Sequence, residues 1–148
     1  RIFSIILFFS SICLQRCSFE HLRAPKMKVV VQIPCFNEEK TLGLVLDSLP
    51  RSIPNVDSIV TVVIDDGSTD GTVRIAQKHN ADYILQHRKN YGLGAAFESG
   101  ICASRMLDAD VIVNIDGDNQ YSGEEVAKIV TPIVDGQSAV VIGSRTLI

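Results

Sequence analysis

The stretch SIVTVVIDDGSTDGTVRIAQKH, Ser58 to His79, contains both halves of a repeating structural unit. Its first part, Ser58–Ile64, is an almost unbroken aliphatic run rich in β-branched residues, as suits a strand buried on both faces. Asp65, Asp66 and Gly67 then stop it. Ser68, Thr69 and Asp70 are strong helix-cap formers, and Asp70–His79 follows with helical spacing, Val73 and Ala76 facing inward. Strand, polar turn and helix form the unit to look for elsewhere.

The unit recurs along the chain. Further strand-like runs lie at Lys28–Ile33, Asp82–Gln86, Asp110–Ile115 and Ala139–Gly143. Helical stripes lie between them: Leu42, Val45, Leu46 and Leu49; Leu93, Ala96, Phe97, Gly100 and Ile101; Val126, Ile129, Val130 and Ile133. All are read as core packing. The alternation predicts a three-layer α/β/α fold with a mainly parallel sheet and right-handed crossovers.

Ligands of such sheets bind beyond the carboxyl ends of the strands. The polar clusters fall where that rule places them: PCFNEE after the first strand, DDGSTDGT after the second, HRKNYGLG after the third, DGDNQ after the fourth and GSR after the fifth. All five are expected along one edge.

The leader RIFSIILFFSSICLQRCSFEHLRAPK, residues 1–26, stands apart. Its apolar part, Ile2–Leu14, is shorter than the ~20 residues that span a membrane. It is expected to lie outside the fold, with Met27 as the biological start; a membrane-associating segment and a signal peptide are the other readings. Residues 27–148 then form the domain. Charge divides in a similar way: residues 1–28 carry five basic residues and one acid, residues 29–148 nine basic and sixteen acidic. A domain at −7 argues against nucleic-acid binding and suits a divalent cation. Cys13, Cys17, Cys35 and Cys102 form no C-x-x-C pair, and of the three histidines only His21 lies near one of them, so neither a zinc site nor a disulfide framework is indicated.

Three clusters can carry chemistry. In DDGSTDGT a strand-end carboxylate can accept hydrogen bonds from a base or a ribose, although such a stretch can also be a plain turn. Its spacing partly fits a calcium loop, but Gln77 stands where the closing Glu belongs. In NYGLGAAF the third glycine of a dinucleotide fingerprint would fall at Phe97, so only a general phosphate approach through Gly92 and Gly94 remains. In DGDNQ, Asp116, Asp118 and Gln120 offer hard oxygens at i, i+2 and i+4. That pattern suits Mg²⁺ or Mn²⁺, whose shell substrate phosphates would complete.

Four motifs together, VVVQIPCFNEEKTL, VVIDDGSTDGT, NYGLGAAFESG and NIDGDNQY, resemble the family 2 glycosyltransferases with the GT-A fold. The resemblance covers about Lys28 to Arg145. Within the family it is similar to the dolichyl-phosphate mannose synthase and undecaprenyl-phosphate sugar transferase branch. It implies that Pro34, Asn37 and Glu38 sit beside the nucleoside, that Asp66 bonds the base with Asp65 supporting the loop, and that Asn90, Gly92 and Gly94 border nucleotide and sugar. It places Asp116 near ribose and metal, with Asp118 and Gln120 completing the metal site, and Arg145 facing phosphate charge. Glu39 is read only as first-turn helix charge.

The implied activity is inverting transfer of a sugar from a UDP- or GDP-linked donor to a polyprenyl phosphate, at the cytoplasmic face of a membrane. Members of the family continue beyond GSR, so the chain is expected to be a C-terminally truncated donor-binding part, with any catalytic base beyond Ile148. A nucleotidyltransferase and a non-catalytic α/β binding domain are the alternatives. The acidic PCFNEE loop counts against the first of these.

Overall fold

The computed structural model describes residues 6–8 and 27–144. In chain order its elements are β1 (Ile6–Phe8), β2 (Lys28–Cys35), α1 (Leu42–Ser48), β3 (Ser58–Asp65), α2 (Thr72–Lys78), β4 (Tyr83–Gln86), α3 (Leu93–Met106), β5 (Val111–Asn114) and α4 (Glu125–Val134). Arg145, Cys13 and Cys17 lie outside the described residues.

The strands form one sheet in the order β1-β5-β2-β3-β4. β2 pairs in parallel with β3, from Lys28 opposite Ser58 to Cys35 opposite Asp65, and with β5, from Val29 opposite Val111 to Gln32 opposite Asn114. β3 pairs in parallel with β4. The chain thus builds β2, β3 and β4 outward in one direction and then returns to place β5 on the other side of β2. That reversal makes a switch point between the carboxyl ends of β2 and β5.

Alternation along β2 sends its side chains into two cores. Val29, Val31 and Ile33 meet Leu42 and Val45 of α1, Ala76 of α2, and Val126, Val130 and Ile133 of α4. Val30 packs with Val62, Ile64 and Ala96 of α3 on the opposite face. Helices therefore cover both faces, in the three layers expected. Among the described residues, α3 is the helix on this face, because the β4-to-β5 connection runs back across the sheet and a crossover of constant hand must then pass on the other side.

One sequence expectation meets a different outcome here. Ala139–Gly143 is not a strand: Val140 and Ile142 are about half exposed, and the segment has no regular structure. A strand needs a partner edge, and β1 occupies the outer edge of β5, with Ile6 opposite Val113 and Phe8 opposite Val111. Of residues 1–26, only these three are described, and they lie in the sheet. Among the described residues, no helix is long and apolar enough to cross a membrane.

Candidate functional site

Four of the five polar clusters converge at the switch point around a cleft of about 600 Å³. The end of β2 supplies Pro34, Phe36 and Glu38, and the end of β3 supplies Asp66. The β4–α3 connection adds Asn90, with Leu93 at the start of α3. The segment after β5 adds Asp116, Asp118 and Gln120.

Asn37, Asp65, Gly92 and Gly94 do not line this cleft. The first has another task. Asn37 adopts a left-handed conformation, with φ of 58°. Its Oδ1 accepts the Thr69 N–H at 2.9 Å, and its own N–H donates to Ser68 Oγ at 2.9 Å. The Glu38 N–H donates to Thr72 Oγ1, and the Glu39 N–H to Asp70 Oδ2. The loops after β2 and β3 are thereby zipped together. Glu39 belongs to this zipper and is not helix charge on α1. Its Oε2 accepts the Gly71 N–H at 3.0 Å, and its Oε1 takes Arg74 Nη2 at 2.9 Å, so it serves the N-terminus of α2.

Asp66 is 2% exposed and accepts three hydrogen bonds. Oδ1 receives the Tyr91 N–H at 2.9 Å and faces His87 Nδ1 at 2.7 Å; Oδ2 receives the Gly92 N–H at 2.7 Å. Burial alone would raise this carboxyl, but the donors of Tyr91, His87 and Gly92 outweigh it and hold it below the usual carboxylate range. The Gly92 N–H, expected at a phosphate, is thus engaged by Asp66. Asp65 is fully buried; its Oδ1 accepts the Ser68 N–H at 3.1 Å, and its Oδ2 has no partner among the described residues. Gly67, at φ +74°, lets the turn pass under Lys89, where a Cβ would lie 2.4 Å from the Lys89 carbonyl carbon.

The DGD segment is acidic and close-packed. Burial first, then Asp118 and Glu38, pushes the Asp116 carboxyl above its ordinary range. Asp118 Oδ1 accepts the Gln120 N–H at 3.0 Å. The intervening Gly117 has a physical reason: a Cβ there would stand 2.6 Å from Cys35 Sγ. The thiol itself is pushed far up, by burial and then by Glu38, Asp65 and Asp116, and stays protonated. Gly117→Ala is therefore expected to displace the DGD turn and weaken binding in the cleft about ten-fold, a misplacement effect. Adding Cys35→Ala should restore most of the loss, and titration of the single and double variants checks it.

The walls carry Glu38, Asp66, Asp116 and Asp118 and, among the described residues, no Lys or Arg. Among the described residues, no three His, Cys, Asp or Glu side chains are grouped to hold a metal ion alone. The pair Asp116 and Asp118 nevertheless fits a small divalent cation, which commonly takes one or two carboxylates and completes its shell with water and phosphate. Beside burial, the like charges of Asp118 and Glu38 act on the Asp116 carboxyl, so the group carries an excess of negative charge.

Phe36, 44% exposed on the cleft wall, and Leu93, 51% exposed, were not singled out in the sequence. Phe36 had a signal: an aromatic residue in an otherwise polar loop. Leu93 had none, because its place in the α3 stripe reads as core.

The comparisons agree with this geometry. The family model for glycosyl transferase family 2 matches residues 30–148. The chain is 31% identical to a UDP-N-acetylglucosamine–dolichyl-phosphate N-acetylglucosaminyltransferase of Methanococcus voltae, over 76% of this chain and 50% of that protein. It is also 31% identical to an undecaprenyl-phosphate mannosyltransferase of Micrococcus luteus, over 80% and 49%. Among solved structures, glucosyl-3-phosphoglycerate synthase from Mycobacterium tuberculosis, in complex with Mn²⁺, UDP and glucosyl-3-phosphoglycerate, superposes with a TM-score of 0.61 at 29% identity, covering 75% of this chain and 40% of that one. S. aureus TarS 1-349 in complex with UDP-GlcNAc gives 0.59 at 25%, covering 74% and 32%. The chain spans about half the length of the curated relatives it matches. With a matching fold, four motif loops around one acidic cleft and a family model running from β2 to the last residue, the chain belongs to glycosyl transferase family 2.

Proposed function

We propose that the switch-point cleft binds a nucleotide-diphospho-sugar together with Mg²⁺ or Mn²⁺, and that the protein transfers the sugar to a polyprenyl phosphate. The observation that carries this is the charge of the walls. Among the described residues, four carboxylates and no cationic side chain line a cleft of nucleotide size, so that an anionic diphosphate is best received there together with a cation. Relatives named for UDP-sugar donors and polyprenyl-phosphate acceptors support the choice of substrates.

In this reading Asp116 and Asp118 hold the ion, with Gln120 beside them. Phe36 offers an apolar face to the base, next to Pro34 and Glu38. A carboxylate has about four acceptor positions. Asp66 has three engaged, which leaves one for a donor on the base. Asn90 faces the diphosphate or sugar. The bound cation would stabilise charge gathering on the leaving diphosphate more than charge in the ground state. The acceptor phosphate oxygen forms the new bond to the anomeric carbon as the bond to the diphosphate breaks, so one displacement inverts configuration. An anionic phosphate acceptor needs no strong base. Its lipid would place the reaction at the cytoplasmic face of a membrane.

Calorimetric titration with UDP tests the donor site. Binding is expected only with Mn²⁺ or Mg²⁺ present, and Asp118→Ala should weaken it by about a hundred-fold, as removal of a metal-holding carboxylate does. Cation-independent UDP binding would overturn the metal role. Preference for a free nucleoside triphosphate would favour nucleotidyl transfer instead.

A further inference from the structure

One buried side chain beside the cleft, His87, is absent from its wall. It stands just past β4, its side chain 12% exposed. Nδ1 lies 2.7 Å from Asp66 Oδ1, and Nε2 lies 2.9 Å from Ser99 Oγ on α3. The Tyr91 ring meets the imidazole edge to face at 5.5 Å. An ionised carboxylate only accepts, so Nδ1 carries the proton, and in the neutral ring Nε2 accepts from the Ser99 hydroxyl.

Carboxylate, imidazole and hydroxyl in this order also describe a nucleophilic triad. Ser99, however, lies in the middle of α3, where the surrounding backbone N–H groups are bonded within the helix and cannot receive an oxyanion. The linkage acts on position. It ties the rigid α3 helix to Asp66, and Asp66 in turn grips the Tyr91 and Gly92 N–H groups. Asn90 and Leu93, which flank those two residues, are on the cleft wall.

We infer that His87 is a positioning residue for nucleotide binding: it orients the Asp66 carboxylate so that the 90–93 segment is held in its place on the donor cleft. This rests on the donor-site reading above. The two links differ in weight: the bond to Asp66 orients the carboxylate, and the Ser99 contact only limits rotation of the imidazole.

The test compares three substitutions in the whole chain. His87→Leu removes both links, and UDP binding with Mn²⁺ should weaken about ten-fold or more, with faster amide hydrogen exchange at Tyr91 and Gly92. His87→Asn keeps an N–H where Nδ1 stood, and binding should return to within about three-fold of wild type. His87→Gln reaches toward Ser99 instead and should not recover. If His87→Leu fails to fold, the Asn and Gln variants decide. Equal loss in both, or unchanged binding in His87→Leu, would overturn the inference. If the wild-type chain binds no UDP, the donor-site reading falls, and amide exchange at Tyr91 and Gly92 still shows whether His87 orders the segment.

Discussion

Asp116→Asn is expected to remove metal-dependent nucleotide binding and, at the same time, to raise the melting temperature of the ligand-free protein. The sign follows from linkage. Burial, Asp118 and Glu38 raise the folded-state pKa of Asp116 above its ordinary 3.8. A carboxyl raised in this way contributes stability below that ordinary value and loses it as pH rises through the folded value. At neutral pH the ionised group is therefore a net cost, and the neutral amide removes it. Ligand response goes the other way. For the wild type, UDP and Mn²⁺ at ~100 times the dissociation constant should add about 2.7 kcal/mol. That corresponds to a rise of roughly 5–10 °C for a domain of this size. Asp116→Asn should show almost none of it. Thermal melts with and without ligand check both halves, and an unchanged ligand-induced rise would remove Asp116 from the metal site.

Asp66→Asn is expected to destabilise the fold itself. The carboxylate joins the end of β3 to the β4–α3 connection through Tyr91, Gly92 and His87. An amide keeps one acceptor oxygen and turns an NH₂ toward the remaining donors. With buried donors left unpaired at ~1–3 kcal/mol each, the loss should be about 2–4 kcal/mol, on the order of 10 °C in melting temperature. The pH dependence has the opposite sign to that of Asp116. The folded Asp66 carboxyl is depressed, so its contribution is present above the ordinary carboxylate range and is lost as pH falls through the depressed value. Asp66→Asn should therefore flatten acid destabilisation below about pH 4. Melts across acid pH measure this. A variant that melts within a degree of wild type would show that the latch contributes little.

These two aspartates were both legible as site candidates, yet their parts differ in a way the sequence does not display. Asp116 faces like charge and open volume; Asp66 faces donors and little solvent. The difference arises from what lies across the space from each. His87 stands 21 residues from Asp66 in sequence, and Glu38 lies far from Asp116. The same holds for Asn37 and Glu39, whose partners in the loop zipper, Thr69 and Arg74, lie 32 and 35 residues away.

The sequence by itself determined the alternation of strands and helices, which faces are apolar and which turns end each strand. Those depend on periods of about 2 and 3.6 residues and on local turn chemistry, all contained within a short window. It also determined that four of the five polar turns share an edge, since parallel strands point their carboxyl ends the same way. The tertiary structure alone decided that Ala139–Gly143 forms no strand while Ile6–Phe8 does, because a strand exists only where another backbone leaves an edge for it. It alone decided which donors each loop carboxylate meets and why Gly117 must be bare above the Cys35 thiol. Hydrogen bonds and van der Waals contacts act over a few ångströms in space, whatever the distance along the chain.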